Sequence, residues 1–146
     1  MERAAGSVEH IEGSAERIVE RIVMKTKSFK DLIVWQKAYK LVLEIYKVTK
    51  AFPMSETYGL SHQTRRAAVS IPSNIAEGYG RKHQAKYKHF LSVAYGSLLE
   101  LETQYLLSVD LKYTGKNEII EGLVREVGSM LYTMLNPKRS TLHAIR

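Results

Sequence analysis

The sequence predicts an all-α fold, an up-down-up-down four-helix bundle with a kinked second helix. Three observations carry that prediction. Apolar residues recur at three- and four-residue spacing in four separate segments, the signature of helices with one buried face. The segments are divided by short connectors: Phe52-Pro53-Met54-Ser55, the stretch after Gly78, and Tyr113-Thr114-Gly115. The chain has 146 residues, enough for one sizeable core, and carries no internal repeat or low-complexity tract. It divides into an N-terminal extension (1–27), the bundle (28–137) and a basic polar tail (138–146).

Residues 1–27 differ from the rest. Ser14 can cap a short helix through Val23, with Ile18, Val19, Ile22 and Val23 as a narrow apolar edge. Two readings of this stretch stand side by side: Met24 is the natural start and residues 1–23 are a leader extension or a misassigned start, or residues 1–27 are an N-terminal arm that packs on a neighbour. The first main helix is expected from Phe29 to about Ala51, opened by a Ser28–Asp31 capping pair and stopped before Pro53. It carries two apolar stripes. One is Leu32, Trp35, Tyr39, Val42 and Tyr46; the other is Val34, Ala38, Leu41, Ile45 and Val48. Lys37, Lys40, Glu44 and Lys47 form its solvent stripe. One stripe suffices to join a bundle, so the second implies either a further partner, and hence an oligomer, or deep burial in the same bundle.

The second helix is the stretch Leu60–Arg81, capped at its start by Ser55. Leu60, Thr64, Ala67, Ile71 and Ile75 share one face, and Ala67, Ala68, Ser70, Ser73 and Ala76 are small enough for a neighbouring helix to come close. Pro72 lacks an N–H and crowds the carbonyl of Ala68, a cost of roughly 3 kcal/mol in a free helix, so a bend or a break is expected there. The hydroxyls of Ser70 and Ser73 and the amide of Asn74 are placed to satisfy the freed carbonyl. Gly78 and Gly80 are expected to supply a left-handed stop. The kink serves either the core alone or an assembly surface.

The third helix is expected from about Ala85 to Lys112. Tyr87, Leu91, Ala94, Leu98, Leu101 and Tyr105 form its first stripe, and Tyr95, Leu99, Leu106 and Val109 its second. Glu102 falls inside that second stripe, and a salt bridge to Arg65 or Arg66 is expected. The fourth helix should run from about Asn117 to Leu135, with the face Ile120, Leu123, Val127, Leu131 and Met134. Gly122 and Gly128 each weaken it by roughly 1 kcal/mol, which points to close contacts at both. Asn136-Pro137 ends it.

The run RRAAVSIPSNIAEGYGR, preceded by FKDLIVWQKAYKL and followed by YKHFLSVAYGSLLELETQ, resembles the four-helix-bundle family of 23S rRNA intervening-sequence proteins. The resemblance covers about Phe29 to Pro137. It extends to the accessory variability protein of diversity-generating retroelements, which shares the fold. The resemblance implies a homopentameric ring of four-helix protomers with nucleic-acid binding, and it brings no catalytic residues.

The net charge of +7 lies entirely between Ser28 and Gly96, with both flanks neutral. Such unevenness suggests an anionic partner. Arg81, Lys82, His83, Lys86, Lys88 and His89 gather where the third helix begins, with no acid among them. Cations there oppose the helix dipole, and free N–H groups make the spot a natural phosphate site. A solvated basic surface is the plainer alternative. The candidate nucleic-acid-binding residues are Arg65, Arg66, Arg81, Lys82, Lys86 and Lys88, with Lys37, Lys40 and Lys47 secondary. Tyr79, Tyr87 and Tyr95 flank the cluster and can stack on bases or pack in the core.

The chain has no cysteine, its histidines lack ligand spacing, and there is no phosphate loop, dinucleotide fingerprint or nucleophile elbow. No catalytic residue, metal or cofactor is therefore expected, and an enzyme is not. No apolar run approaches the ~18 residues of a membrane span, and no secretory signal is recognisable, so a cytoplasmic protein without a membrane partner is expected. Two function classes follow. One is a homo-oligomeric scaffold that binds RNA or DNA phosphates; the other is a protein–protein adaptor, similar to the accessory protein of a retroelement reverse transcriptase.

Overall fold

The structure, a computed structural model, describes residues 26–137. The expected Ser14–Val23 helix, the Met24 start and the basic tail lie outside the described residues. Within them are four α-helices and no strand: α1 (Ile33–Thr49), α2 (Leu60–Tyr79), α3 (Gln84–Asp110) and α4 (Glu118–Leu135). Single 3-10 turns precede α1 (Phe29–Asp31) and α2 (Met54–Glu56). Each helix packs on two others, α1 on α2 and α4, and α3 on α2 and α4.

The stripes predict the core. Every member of the first α3 stripe is buried, as are Val34, Ala38, Leu41 and Ile45 of α1, Ala67, Ile71 and Ile75 of α2, and Ile120, Leu123, Val127 and Leu131 of α4. Burying each large aliphatic side chain contributes about 1.5–3 kcal/mol. The other stripe of each of α1 and α3 is only partly covered, Leu32 being buried. On α1, Tyr39 and Tyr46 stay exposed while Trp35 and Val42 are half-buried; on α3, Leu99 and Leu106 stay exposed.

Several local expectations are corrected. Ser28 and Asp31 do form the capping box, but it closes the 3-10 turn, and extended backbone at Leu32 (ψ 124) delays the helix to Ile33. Ser55 does not cap α2; it lies within the second 3-10 turn, and the first helical N–H, of Leu60, donates to Glu56 Oε2 at 2.8 Å. Tyr113, just after α3, donates to the other oxygen of Glu56 at 3.2 Å, tying the two elements together. Pro72 does not break α2, which continues to Tyr79 with the proline buried. The side chains expected to rescue the freed carbonyl are engaged differently. Asn74 Nδ2 donates to Ser70's carbonyl (2.7 Å) and hydroxyl (2.9 Å), and Ser70 Oγ meets Ser97 Oγ of α3 at 2.9 Å.

The glycines after Ile75 are not a left-handed stop, because no described glycine has positive φ. Gly78 is inside the helix because of packing: a Cβ there would lie 3.0 Å from Phe90 Cβ and 3.3 Å from the Tyr87 carbonyl oxygen. Gly128 is likewise close to Leu98, at 3.2 Å, whereas a Cβ at Gly122 would meet nothing within 4 Å. The left-handed position belongs instead to Lys112, at φ 63. It follows the α3 C-cap, with Lys112 N–H donating to Val109 (3.0 Å) and Tyr113 N–H to Ser108 (2.9 Å), the paired bonds of a Schellman ending.

A non-glycine residue in that conformation costs roughly 1 kcal/mol. Lys112→Gly is therefore expected to raise stability by about 1 kcal/mol, read as a higher urea midpoint at unchanged slope. A second prediction concerns Tyr87, whose hydroxyl is buried without a hydrogen-bond partner. Burial, with Tyr79 adding to it, pushes its pKa up to about 12 from 10.0. The folded chain thus holds this proton where the unfolded chain releases it, so the stability it contributes is complete below pH 10 and is lost as pH rises toward 12. Tyr87→Phe removes both features. It should be about 1 kcal/mol more stable at neutral pH and lose less stability in that alkaline window, as followed by thermal melts across pH.

Candidate nucleic-acid interface

The sequence candidates fall into two groups at opposite ends of α2. Arg65 and Arg66 lie in its second turn and Arg81 just past its end, and the intervening 15 residues of helix rise about 22 Å. They do not form one patch within a protomer.

The group at the α2–α3 connection is built by local geometry. α2 closes at Gly80, whose N–H donates to Ala76 at 3.2 Å. His83 takes extended backbone as the α3 N-cap but offers no side-chain cap, and the first turn of α3 contains no acid. Its N-terminal dipole is thus left to Arg81, Lys82, His83 and Lys86, all exposed, with Lys88 half-buried. Arg81 pairs with Glu77 one turn back and lies over the Phe90 ring at 5.3 Å. Among the described residues, Lys82 and Lys86 pair with no carboxylate.

The fold adds two lysines that the sequence reading missed. Tyr79 Oη, at the end of α2, donates to the Thr26 carbonyl at 2.9 Å and meets Thr26 Oγ1 at 2.8 Å. This pins the start of the described chain to the same end of the bundle. The capping box then holds the next turn in place, with Lys27 N–H on Asp31 Oδ2 at 3.0 Å. Lys27 precedes that box and Lys30 lies within it, both exposed. Their only trace in the sequence is the capping pair itself, because the tyrosine that places them lies 53 residues on.

The remaining candidates have other occupations. Arg65 is half-buried, its Nε donating to Thr49 Oγ1 at 2.8 Å and its guanidinium 4.7 Å above the Tyr46 ring. It fastens α2 to α1. Arg66 and Lys40 are exposed. Lys37 pairs with Glu126 of α4, holding that carboxyl below its usual range, and Lys47 pairs with Glu44 at 3.1 Å.

Glu102 does not form the expected bridge to Arg65 or Arg66. It is exposed and lies in a groove of about 350 Å³ between α3 and α4, beside Leu99, Leu106, Glu121 and Arg125. The reason is rotational: Glu102 sits on the α4 side of α3, while Arg65 is turned toward α1. The tyrosines are not an open stacking platform either. Tyr87 is buried, Tyr79 is engaged with Thr26, and Tyr95 faces the Tyr132 ring at 6.3 Å. No helix among the described residues is long and apolar enough to cross a membrane.

Comparison with known proteins agrees with this architecture. A family model described as 23S rRNA-intervening sequence protein matches residues 30–133. A crystal structure of a protein of unknown function from the S23 ribosomal protein family of Bacteroides thetaiotaomicron is similar in fold, with a TM-score of 0.63 at 21% identity. The similarity covers 70% of this chain and 98% of that one. Among curated proteins none matches.

Proposed function

The chain belongs to the 23S rRNA-intervening sequence protein family, and we propose that it is a non-enzymatic, homo-oligomeric cytoplasmic scaffold that holds RNA or DNA by its phosphates. The observation that carries this reading is the bundle end where Arg81, Lys82 and Lys86 meet an uncapped, acid-free helix N-terminus, joined by Lys27 and Lys30. Backbone N–H groups and lysines suit phosphate oxygens, and neither reads base edges, so binding is weakly sequence-specific. The family resemblance supplies the count of five protomers. In such a ring every cationic end is repeated, and weak sites reinforce one another along a polymer. A bend at Pro72 fits the same reading by setting the curvature of the face that α2 shows to a neighbour.

A second reading, a protein–protein adaptor of the kind that serves a reverse transcriptase, draws on the exposed apolar side chains of α1 and α3, Leu43 at 49% and Leu106 at 53% among them. Exposed apolar groups of this kind mark contact surfaces without naming the partner.

A salt titration of single-stranded RNA binding tests the first reading. Affinity should fall steeply as salt rises, and Lys82→Ala and Lys86→Ala should each reduce the logarithmic slope by about 0.7. Binding that is indifferent to salt, or slopes unchanged in both variants, would contradict it.

A further inference from the structure

A groove of about 410 Å³ separates the start of α1 from the end of α4. Leu32, Ile33 and Val34 line one side, and Met130, Thr133 and Met134 the other. Ile33 is 60% exposed, and both methionines are only half-buried against the core. Buried Tyr87 of α3 lines it as well, so the groove adjoins the cationic end. Thr26, the first described residue, also lines it. Tyr79 holds Thr26 by its carbonyl and hydroxyl oxygens, at 2.9 and 2.8 Å. The 25 residues that precede Thr26 therefore join the bundle at this groove. Among them is the apolar edge Ile18, Val19, Ile22 and Val23.

We infer that this edge seats in the groove of its own bundle. Reach supports the match. Val23 is three residues from Thr26, a separation of at most ~11 Å in the most extended chain, so it cannot leave the neighbourhood of the groove. Chemistry supports it independently. The groove is walled mainly by aliphatic and methionine side chains, and the edge offers four aliphatic side chains at helical spacing. Burying one against the other removes apolar surface of both from water. Charge gives a third argument. Glu12, Glu16 and Glu20 recur at every fourth residue and so share a helical face beside the apolar edge. Lys27 and Lys30, exposed in the turn that opens onto the groove, have the opposite sign. The tail beyond Pro137 leaves α4 in the same neighbourhood but is a poorer occupant. It would set Lys138, Arg139 and Arg146 beside those lysines, and Leu142 and Ile145 are its only large aliphatic residues. The contact lies within one chain and requires no second copy.

Engineered thiols test this on the full chain, which has no cysteine of its own. Ile22→Cys combined with Met130→Cys or with Thr133→Cys should oxidise to a disulfide within one chain, seen as a faster-running monomer on a non-reducing gel. Arg21→Cys has nearly the same tether length but lies about 100° round the helix. Paired with the same partners, it should link at least about tenfold more slowly. Thermal melts give a second readout that needs no cross-link. Ile22→Asp should lower the midpoint of the full chain by about 4 °C or more, and Arg21→Ala should leave it within about 1 °C. Neither of these two substitutions touches the bundle core. Equal linking rates at positions 21 and 22, or an unchanged midpoint in Ile22→Asp, would overturn the inference. So would disulfides that join two chains, which would assign the segment to a neighbour, and so would a native chain whose mass begins at Met24.

Discussion

The structure depends on how closely α2 can lie against α3. At Gly78 the two backbones come so near that a single added carbon would crowd both Phe90 Cβ and the Tyr87 carbonyl. Above that point the seam is lined by small or branched residues of α2, with Ala67, Ala68, Ile71 and Ile75 all buried, and by Leu91, Ala94, Leu98 and Leu101 of α3. It is closed by the hydroxyl contact of Ser70 with Ser97. Packing of this density explains how a buried proline persists inside α2. The penalty of roughly 3 kcal/mol at Pro72 is offset by the burial of that face of α2, the proline included.

The seam also decides what the rest of the surface can do. It stacks the end of α2 on the start of α3, so Arg81, Lys82 and Lys86 emerge together at one end of the bundle. The short connection leaves α3 without a side-chain cap, so its first N–H groups and the cations beside them meet no acid in that turn. Cations at a helix N-terminus cost stability, and the first turn of α3 holds no acid to offset them.

Helices and core were legible in the sequence because periodicity reports burial directly. Tyr87, Leu91, Ala94, Leu98, Leu101 and Tyr105 recur at helical spacing and are buried together. What escaped were features set by rotation about a helix axis or by distant contacts. Glu102 and Arg65 are level with one another but turned to different neighbours, which spacing alone does not encode. Lys27 and Lys30 join the cationic end only through Tyr79. Gly78 looked like punctuation because glycine both ends helices and admits close neighbours. Lys112 took the left-handed position without any residue type to announce it.

The most direct test of the close α2–α3 seam is the equilibrium urea unfolding of Gly78→Ala beside the wild-type chain. Alanine is the better helix former by about 1 kcal/mol, so at an unconstrained helical position the substitution stabilises. At the seam the new methyl group must push the helices apart, and a lower unfolding midpoint is predicted. A higher midpoint would show that α2 and α3 are not held together there, and the account of how the cationic end is assembled would lose its foundation.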